Sequence, residues 1–196
     1  MEQKHATPSF LPHVTLLGGF EFDGSTQAKD HMHKLISIFK SQPGVIEEQQ
    51  CNSGIRCKLT GSLKRNRDVY ICVRFLNLES QLFPLRDAGL GIGQTTFQCV
   101  YVTIEKTNTL LKAFETAGST MISDPEKRPT DYLPHLSLIY SDADQETRRA
   151  IKKDCEKELE SFGDGFNVTA LSLWETDIND KSTKSWKLVQ KFPIIS

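Results

Sequence analysis

Two histidines and two hydroxyl side chains could do chemistry together in this sequence. They come from a seven-residue stretch that occurs twice. Phe10-Leu11-Pro12-His13-Val14-Thr15-Leu16 matches Tyr132-Leu133-Pro134-His135-Leu136-Ser137-Leu138 position by position. Both read aromatic-Leu-Pro-His-aliphatic-hydroxyl-Leu, and His135 follows His13 by 122 positions in a chain of 196. Imidazole changes charge near neutral pH, so one histidine can accept a proton while the other donates one. Hydroxyls and imidazolium donate hydrogen bonds to phosphate oxygens. In-line displacement at phosphorus needs an attacking water deprotonated on one side and a leaving oxygen protonated on the other. Two opposed histidines supply both without a metal. A single His-x-hydroxyl would be read as a buried strand that happens to carry a histidine, but the repeated frame argues against that. A metal held by His13 and His135 is the other alternative. Zinc usually takes three or four ligands, and no carboxylate stands two or four positions after either histidine.

Both stretches are expected to be strands. Proline is tolerated at the first residue of a strand or on an edge. Beyond it, side chains alternate between faces. His13 and Thr15 therefore share one face, with Val14 and Leu16 on the other. His135 and Ser137 likewise oppose Leu136 and Leu138. If the two halves of the chain face each other, all four polar groups line one cleft.

The paired motifs resemble the two-histidine phosphoesterases, and more closely their plant-type cyclic phosphodiesterases. Phe97-Gln98-Cys99-Val100, Pro134 to Tyr140, Thr176 to Lys181 and Trp186 carry the closer likeness. It covers Phe10 to about Phe39 and Thr95 to the C-terminus. The resemblance implies that His13 and His135 are the acid/base pair and that Thr15 and Ser137 hold the phosphate. It also implies that Tyr140 contacts substrate. Strict alternation puts Tyr140 on the face opposite His135, so its entry into the cleft requires the strand to end or bulge after Leu138. The implied substrates are 2′,3′-cyclic nucleotides or ADP-ribose 1″,2″-cyclic phosphate, a by-product of tRNA splicing.

Composition is ordinary for a folded domain, at 38% hydrophobic and 25% charged residues. A formal net charge of −1 provides no basic field for a long nucleic acid. The expected partner is a small nucleotide, and the expected state is a monomer without a cofactor. Five cysteines without a C-x-x-C pair indicate neither a zinc ribbon nor a disulfide framework. Residues 1–9 carry no apolar signal-peptide core, and no apolar run approaches the roughly 20 residues that span a bilayer. A cytoplasmic location is expected.

Along the chain, Gly18-Gly19 predicts a bend. Ala28, Met32, Leu35, Ile36 and Phe39 predict a helix over Thr26–Lys40, with His31 and His33 exposed on different faces. Short strands are expected between Val45 and Leu63. The segment at about 62–90 has no counterpart in the family, whose link here is much shorter. It is read as a surface hairpin or a mis-spliced stretch that could be deleted without loss of activity. The opposing reading makes Val69 to Phe75 a working strand, replacing an edge element that family members carry before the first histidine motif. Gly89-Leu90-Gly91-Ile92-Gly93 is expected to be a flexible turn, since no Lys-Ser/Thr comes after it to make a phosphate loop. Thr95 to Ile104 predicts a strand. Thr107-Asn108 predicts a helix start, with Gly118 ending that helix. Asp142-x-x-Gln145 resembles a capping box for a helix carrying Ile151, Cys155, Leu159 and Phe162. Two strands complete the chain, Phe166 to Glu175 and Lys184 to Phe192, joined by a polar loop.

This order predicts an α+β fold with antiparallel sheets. The family implies a single domain over 1–196, built as two pseudo-symmetric lobes around a central cleft. Each lobe would be a small sheet backed by helices. Two rivals to a cyclic phosphodiesterase are another member of the superfamily that processes RNA ends, ligase-like or exonuclease, and a non-catalytic nucleotide-binding module.

Overall fold

A computed structural model describes residues 8, 10, 13–20, 26–40, 68–76, 84–159 and 165–194. Among these are seven strands: β1 (His13–Phe20), β2 (Asp68–Leu76), β3 (Pro84–Ile92), β4 (Val100–Ile104), β5 (His135–Ile139), β6 (Gly165–Thr176) and β7 (Lys187–Pro193). The α-helices are α1 (Thr26–Lys40), α2 (Asn108–Met121) and α3 (Gln145–Leu159). All strand pairings are antiparallel, in the order β2-β1-β5-β4-β3-β6-β7, and β2 also pairs with β6. The fold is the α+β class expected.

Two seams divide the strands. β1 meets β5 at Val14 and Leu136, and Pro84 to Arg86 of β3 meet Gly165 to Asn167 of β6. On one side β1, β6 and β7 share a core with α1 and α2, which pack on each other. On the other, β3 and β4 are covered by α3. The larger core gathers Val14, Leu16, Leu17, Met32, Leu35, Leu110, Leu171 and Leu173; a smaller one joins Cys99, Val100 and Ile139 to Ile151 and Cys155 of α3. The helical spacing of Met32, Leu35 and Ile36 delivers them to the larger core, as expected, and Ile38 joins them. No helix among the described residues is long and apolar enough to cross a membrane.

Several expectations are corrected. Gly18-Gly19 does not end the first strand. Gly19 takes φ +74 at a register irregularity between Leu17 and Phe20, and β1 runs on to Phe20. The glycine run is not a turn, because Gly89 to Ile92 belong to β3. Thr95 to Ile104 is not one strand: Thr96–Gln98 forms a 3₁₀ turn before β4 begins at Val100. The Thr95 carbonyl is taken by Gln98 N and by Arg148, so it cannot serve a neighbouring strand. Helix α2 passes through Gly118 to Met121. Gly118 is buried there, and its carbonyl accepts from Ile122 N. The cap of α3 is Asp144, whose carboxylate accepts from Thr147 N at 2.8 Å. Asp142 instead binds Lys181 and Thr96.

The largest correction concerns the segment at about 62–90. Its Asp68–Leu76 strand pairs along nearly its whole length with both β1 and β6, including His13 with Arg74 and Tyr70 with Trp174. Pro84–Ile92 bridges β6 and β4. The segment is built into the sheet, so a deletable surface hairpin is not what the register allows. The expected strands between Val45 and Leu63, and the basic run Lys64 to Arg67, lie outside the described residues.

Candidate active site

The two histidine strands are neighbours. β1 and β5 run antiparallel with Val14 opposite Leu136. Carried one step each way, that register sets His13 opposite Ser137 and Thr15 opposite His135. Directly opposed residues have Cβ atoms about 4.5–5.5 Å apart. The aliphatic pair points into the core, where both side chains are buried. The four polar side chains take the other face, and all four line one cavity of about 460 Å³. The repeat thus folds back on itself about a local dyad between Val14 and Leu136.

His135 is held in one tautomer. Its Nδ1 lies 2.8 Å from the Leu133 carbonyl, which can only accept, so Nδ1 carries the proton and Nε2 is left as the basic nitrogen. Burial pushes the His135 pKa below the ordinary value, while the bond to Leu133 raises it. The result is an imidazole neutral at pH 7 with a lone pair available. The Ser137 hydroxyl donates to the Phe97 carbonyl at 3.0 Å. To donate to an anion in the cavity it must rotate away from that partner.

Tyr140 does enter the cavity, for the reason that strand alternation demanded. Across β4 and β5, Tyr101 pairs with Ser137 but Val100 pairs with Ile139, so Leu138 is an extra residue on β5. Such a bulge re-aims the side chains beyond it. Ile139 turns into the smaller core and Tyr140 into the cavity. Tyr140 is only 3% exposed and stacks on Phe10, with centroids 3.8 Å apart and planes 12° apart. Phe97 meets Tyr140 edge-on at 5.2 Å, and Trp186 lies 5.4 Å from Phe97 and 5.9 Å from Tyr140. The cavity is therefore polar at its histidine floor and aromatic along one wall.

Two segments frame that wall. The Thr96–Gln98 turn presents Phe97 and is held from below by Arg148 of α3. That guanidinium donates to the carbonyls of Ala143 (2.6 Å), Gly93 (2.9 Å), Thr95 (3.0 Å) and Ser141 (3.0 Å). The β6–β7 loop presents Ile178, Thr183 and Trp186. Asp180 organises this loop by accepting from Ser182 and Ser185, bonds that hold its carboxyl well below the usual carboxylate range. Lys181 then ties the loop to Asp142, 2.5 Å away, beside the start of α3.

The chain belongs to the cyclic phosphodiesterase-like protein family. The family model matches residues 2–196, nearly the whole sequence. A cyclic phosphodiesterase of Arabidopsis thaliana is 30% identical over 102 residues, which are 51% of this chain and 54% of that protein. The match spans about half the length of that relative.

Sequence reasoning placed His13, Thr15, His135, Ser137 and Tyr140, and the fold brings all five to one cavity. Arg148 was missed. Its signal was an arginine three and seven positions before Ile151 and Cys155, on the buried stripe of an otherwise polar helix. Trp174 and Thr176 alternate along β6 into the cavity; Trp174 is expected from sequence only as a strand residue, and Thr176 only as the start of a polar loop that carries part of the family likeness. Among the described residues, no three His, Cys, Asp or Glu side chains converge as a metal-ligand set.

Proposed function

We propose that this chain hydrolyses nucleotide-type cyclic phosphodiesters, 2′,3′-cyclic nucleotides or ADP-ribose 1″,2″-cyclic phosphate, by metal-independent acid–base catalysis. The reading rests on the β1–β5 register, which faces the two His-x-hydroxyl pairs across one cavity. His135 Nε2, neutral and directed by its bond to Leu133, takes a proton from a water. The water oxygen attacks phosphorus while the bond to one ring oxygen breaks. The imidazolium of His13 protonates that leaving oxygen, and a phosphate monoester departs. Thr15 and Ser137 donate to the non-bridging oxygens, Ser137 by exchanging Phe97 O for the phosphate. The wall of Phe10, Tyr140, Phe97 and Trp186 suits a stacked base, since every base has a π-face.

The test is turnover of 2′,3′-cyclic AMP and of ADP-ribose 1″,2″-cyclic phosphate by the wild type and by His13→Ala and His135→Ala. Each substitution removes a proton-transfer group worth roughly 10²–10⁴-fold. Groups acting in one step are non-additive, so the double variant falls little below either single one. Near-normal turnover in either single variant refutes the assignment.

A further inference from the structure

We infer that Tyr101, seated over Gly91, is a positioning residue for His135: its ring fixes the imidazole plane and shields it from water. This rests on the proposed role of His135 in turnover. The bond from Nδ1 to Leu133 O gives the imidazole one fixed direction and leaves it free to rock about that bond. A second contact is needed to set its plane. The Tyr101 ring supplies one, with its centroid 5.1 Å from that of His135 at 62°.

The contact is a consequence of the register. Tyr101 is opposite Ser137 and Thr103 is opposite His135, so Tyr101 is the diagonal neighbour of His135 on the site's face. Diagonal neighbours lie within reach of an aromatic ring. On its other side, Tyr101 pairs with Gly91 of β3. A Cβ at position 91 would stand 2.4 Å from Cε2, 2.5 Å from Cζ and 2.8 Å from the hydroxyl oxygen of Tyr101. The outer half of the ring occupies the space a side chain at 91 would fill. Gly91 is thus required for room rather than for an unusual backbone angle. The glycine run of β3, which is no phosphate loop, acquires a function through this one position. Any larger residue there must push the ring off its seat.

Among the described residues, the titratable groups that the strand registers set beside His135 are His13 from β1 and Tyr101 from β4. Its other near neighbours on the site's face, Thr15 and Ser137, are uncharged, and among the described residues the cavity lining holds no carboxylate, lysine or arginine. Burial is the leading influence on His135 and holds its titration low. Removing the Tyr101 ring readmits water and moves that titration up toward the ordinary histidine value.

The experiment compares wild type, Tyr101→Ala, Tyr101→Phe and Gly91→Ala. It reads the pH dependence of kcat/KM for 2′,3′-cyclic AMP and the NMR titration of the His135 ring protons. In Tyr101→Ala, kcat falls by about tenfold or more with KM little changed, the pattern of a misplaced catalytic group. The acid limb of the profile and the His135 titration both move to higher pH. Tyr101→Phe restores both, because the ring and not the hydroxyl does the shielding. Gly91→Ala moves both in the same direction as Tyr101→Ala, yet adds little in a Tyr101→Ala background, where no ring is left to displace. Should Tyr101→Ala fail to fold, Tyr101→Leu takes its place. An unmoved His135 titration in Tyr101→Ala or Tyr101→Leu, failure of phenylalanine to restore it, or a fully additive Gly91→Ala overturns the inference. If the wild type turns over no cyclic phosphodiester, the proposed function fails while the NMR titration still decides the role of Tyr101.

Discussion

Replacing Arg148 tests how the aromatic wall is held. The side chain is 4% exposed, and its guanidinium donates to four backbone carbonyls. Those carbonyls come from two segments, Gly93–Thr95 and Ser141–Ala143, that β4, β5 and helix α2 separate in sequence. Arg148→Met keeps the length and apolar stem but takes a donor from all four acceptors: Thr95 O keeps Gln98 N and Gly93 O keeps Gln145 Nε2, while the Ser141 and Ala143 carbonyls are orphaned. A buried group left unpaired costs about 1–3 kcal/mol, and hydrogen bonds to charged groups lie at the upper end of the range. The low end for the two orphaned carbonyls, with about 1 kcal/mol for each bond lost where another donor remains, gives a loss of about 4 kcal/mol. Relief from burying a lone cation offsets part of that, and water reaching the loop carbonyls offsets more. A net loss of about 3 kcal/mol is expected, a large share of the roughly 5–15 kcal/mol that holds a domain folded. Arg148→Lys keeps the charge but has no planar fork, and it should fall about halfway.

Urea unfolding followed by the fluorescence of Trp174 and Trp186 measures the loss. Turnover provides a second readout. Under conditions where Arg148→Lys is fully folded, its kcat/KM should still be lowered, because the Thr96–Gln98 turn carries both Phe97 and the carbonyl that holds Ser137. An Arg148→Met protein within about 1 kcal/mol of wild type would show that those carbonyls find other partners readily, and the account of the wall would fail.

Other outcomes can be checked on the same protein. His135 has a folded pKa below its ordinary 6.5, so between the two values the unfolded chain binds more protons. Stability should therefore be full above about pH 6.5 and be lost as pH falls toward the folded value; unfolding of wild type against His135→Asn across that window reads the difference. Thr15→Val and Ser137→Ala each remove a donor to a charged oxygen, worth about 1.5–3 kcal/mol, and should lower kcat/KM roughly 10- to 100-fold without unfolding the protein; unchanged kinetics would leave the hydroxyls structural. Turnover should survive EDTA, and an enzyme revived only by added zinc or manganese would restore the metal alternative. Deleting residues 62–90 removes β2 and most of β3, so circular dichroism should report an unfolded chain; a folded, active deletion variant would contradict the β1–β2–β6 register.

The legible part of the sequence was local. The alternation in each histidine motif set the polar and apolar faces of β1 and β5. The spacing of Met32, Leu35 and Ile36 gave α1 its bounds, because the apolar stripe of a helix is written within a few turns. The illegible part depends on pairings between distant segments. Val69 to Phe75 carries a strand pattern, but nothing in those residues says that the strand sits between β1 and β6 rather than on a surface. Gly91 is legible as a breaker of structure and illegible as room for a tyrosine from another strand. Arg148 looks like one more charge on a polar helix until four carbonyls converge on it. The Asp142 capping motif failed because Lys181 and Thr96, from distant loops, compete for its carboxylate more strongly than the helix start does.

The repeat itself separates chemistry from support. Its central residues obey the dyad: histidine, aliphatic and hydroxyl recur on both strands and meet across one ladder. Its aromatic position does not. Phe10 stacks on Tyr140 at the cavity wall. Tyr132, its counterpart, stacks on Phe114 of α2 at 4.3 Å, and its hydroxyl donates to the Thr15 carbonyl at 3.3 Å. One aromatic therefore shapes the space for a ligand, while the other ties the first motif's hydroxyl strand to the core. A strictly symmetric site would give its two histidines equal surroundings and leave neither committed to donating or accepting. A single displacement needs one of each. Phe10 and Tyr132 are used unequally, Leu138 bulges on β5, and the ring of Tyr101 lies against the β5 histidine. By these differences two copies of one motif come to present unlike surroundings to a substrate between them.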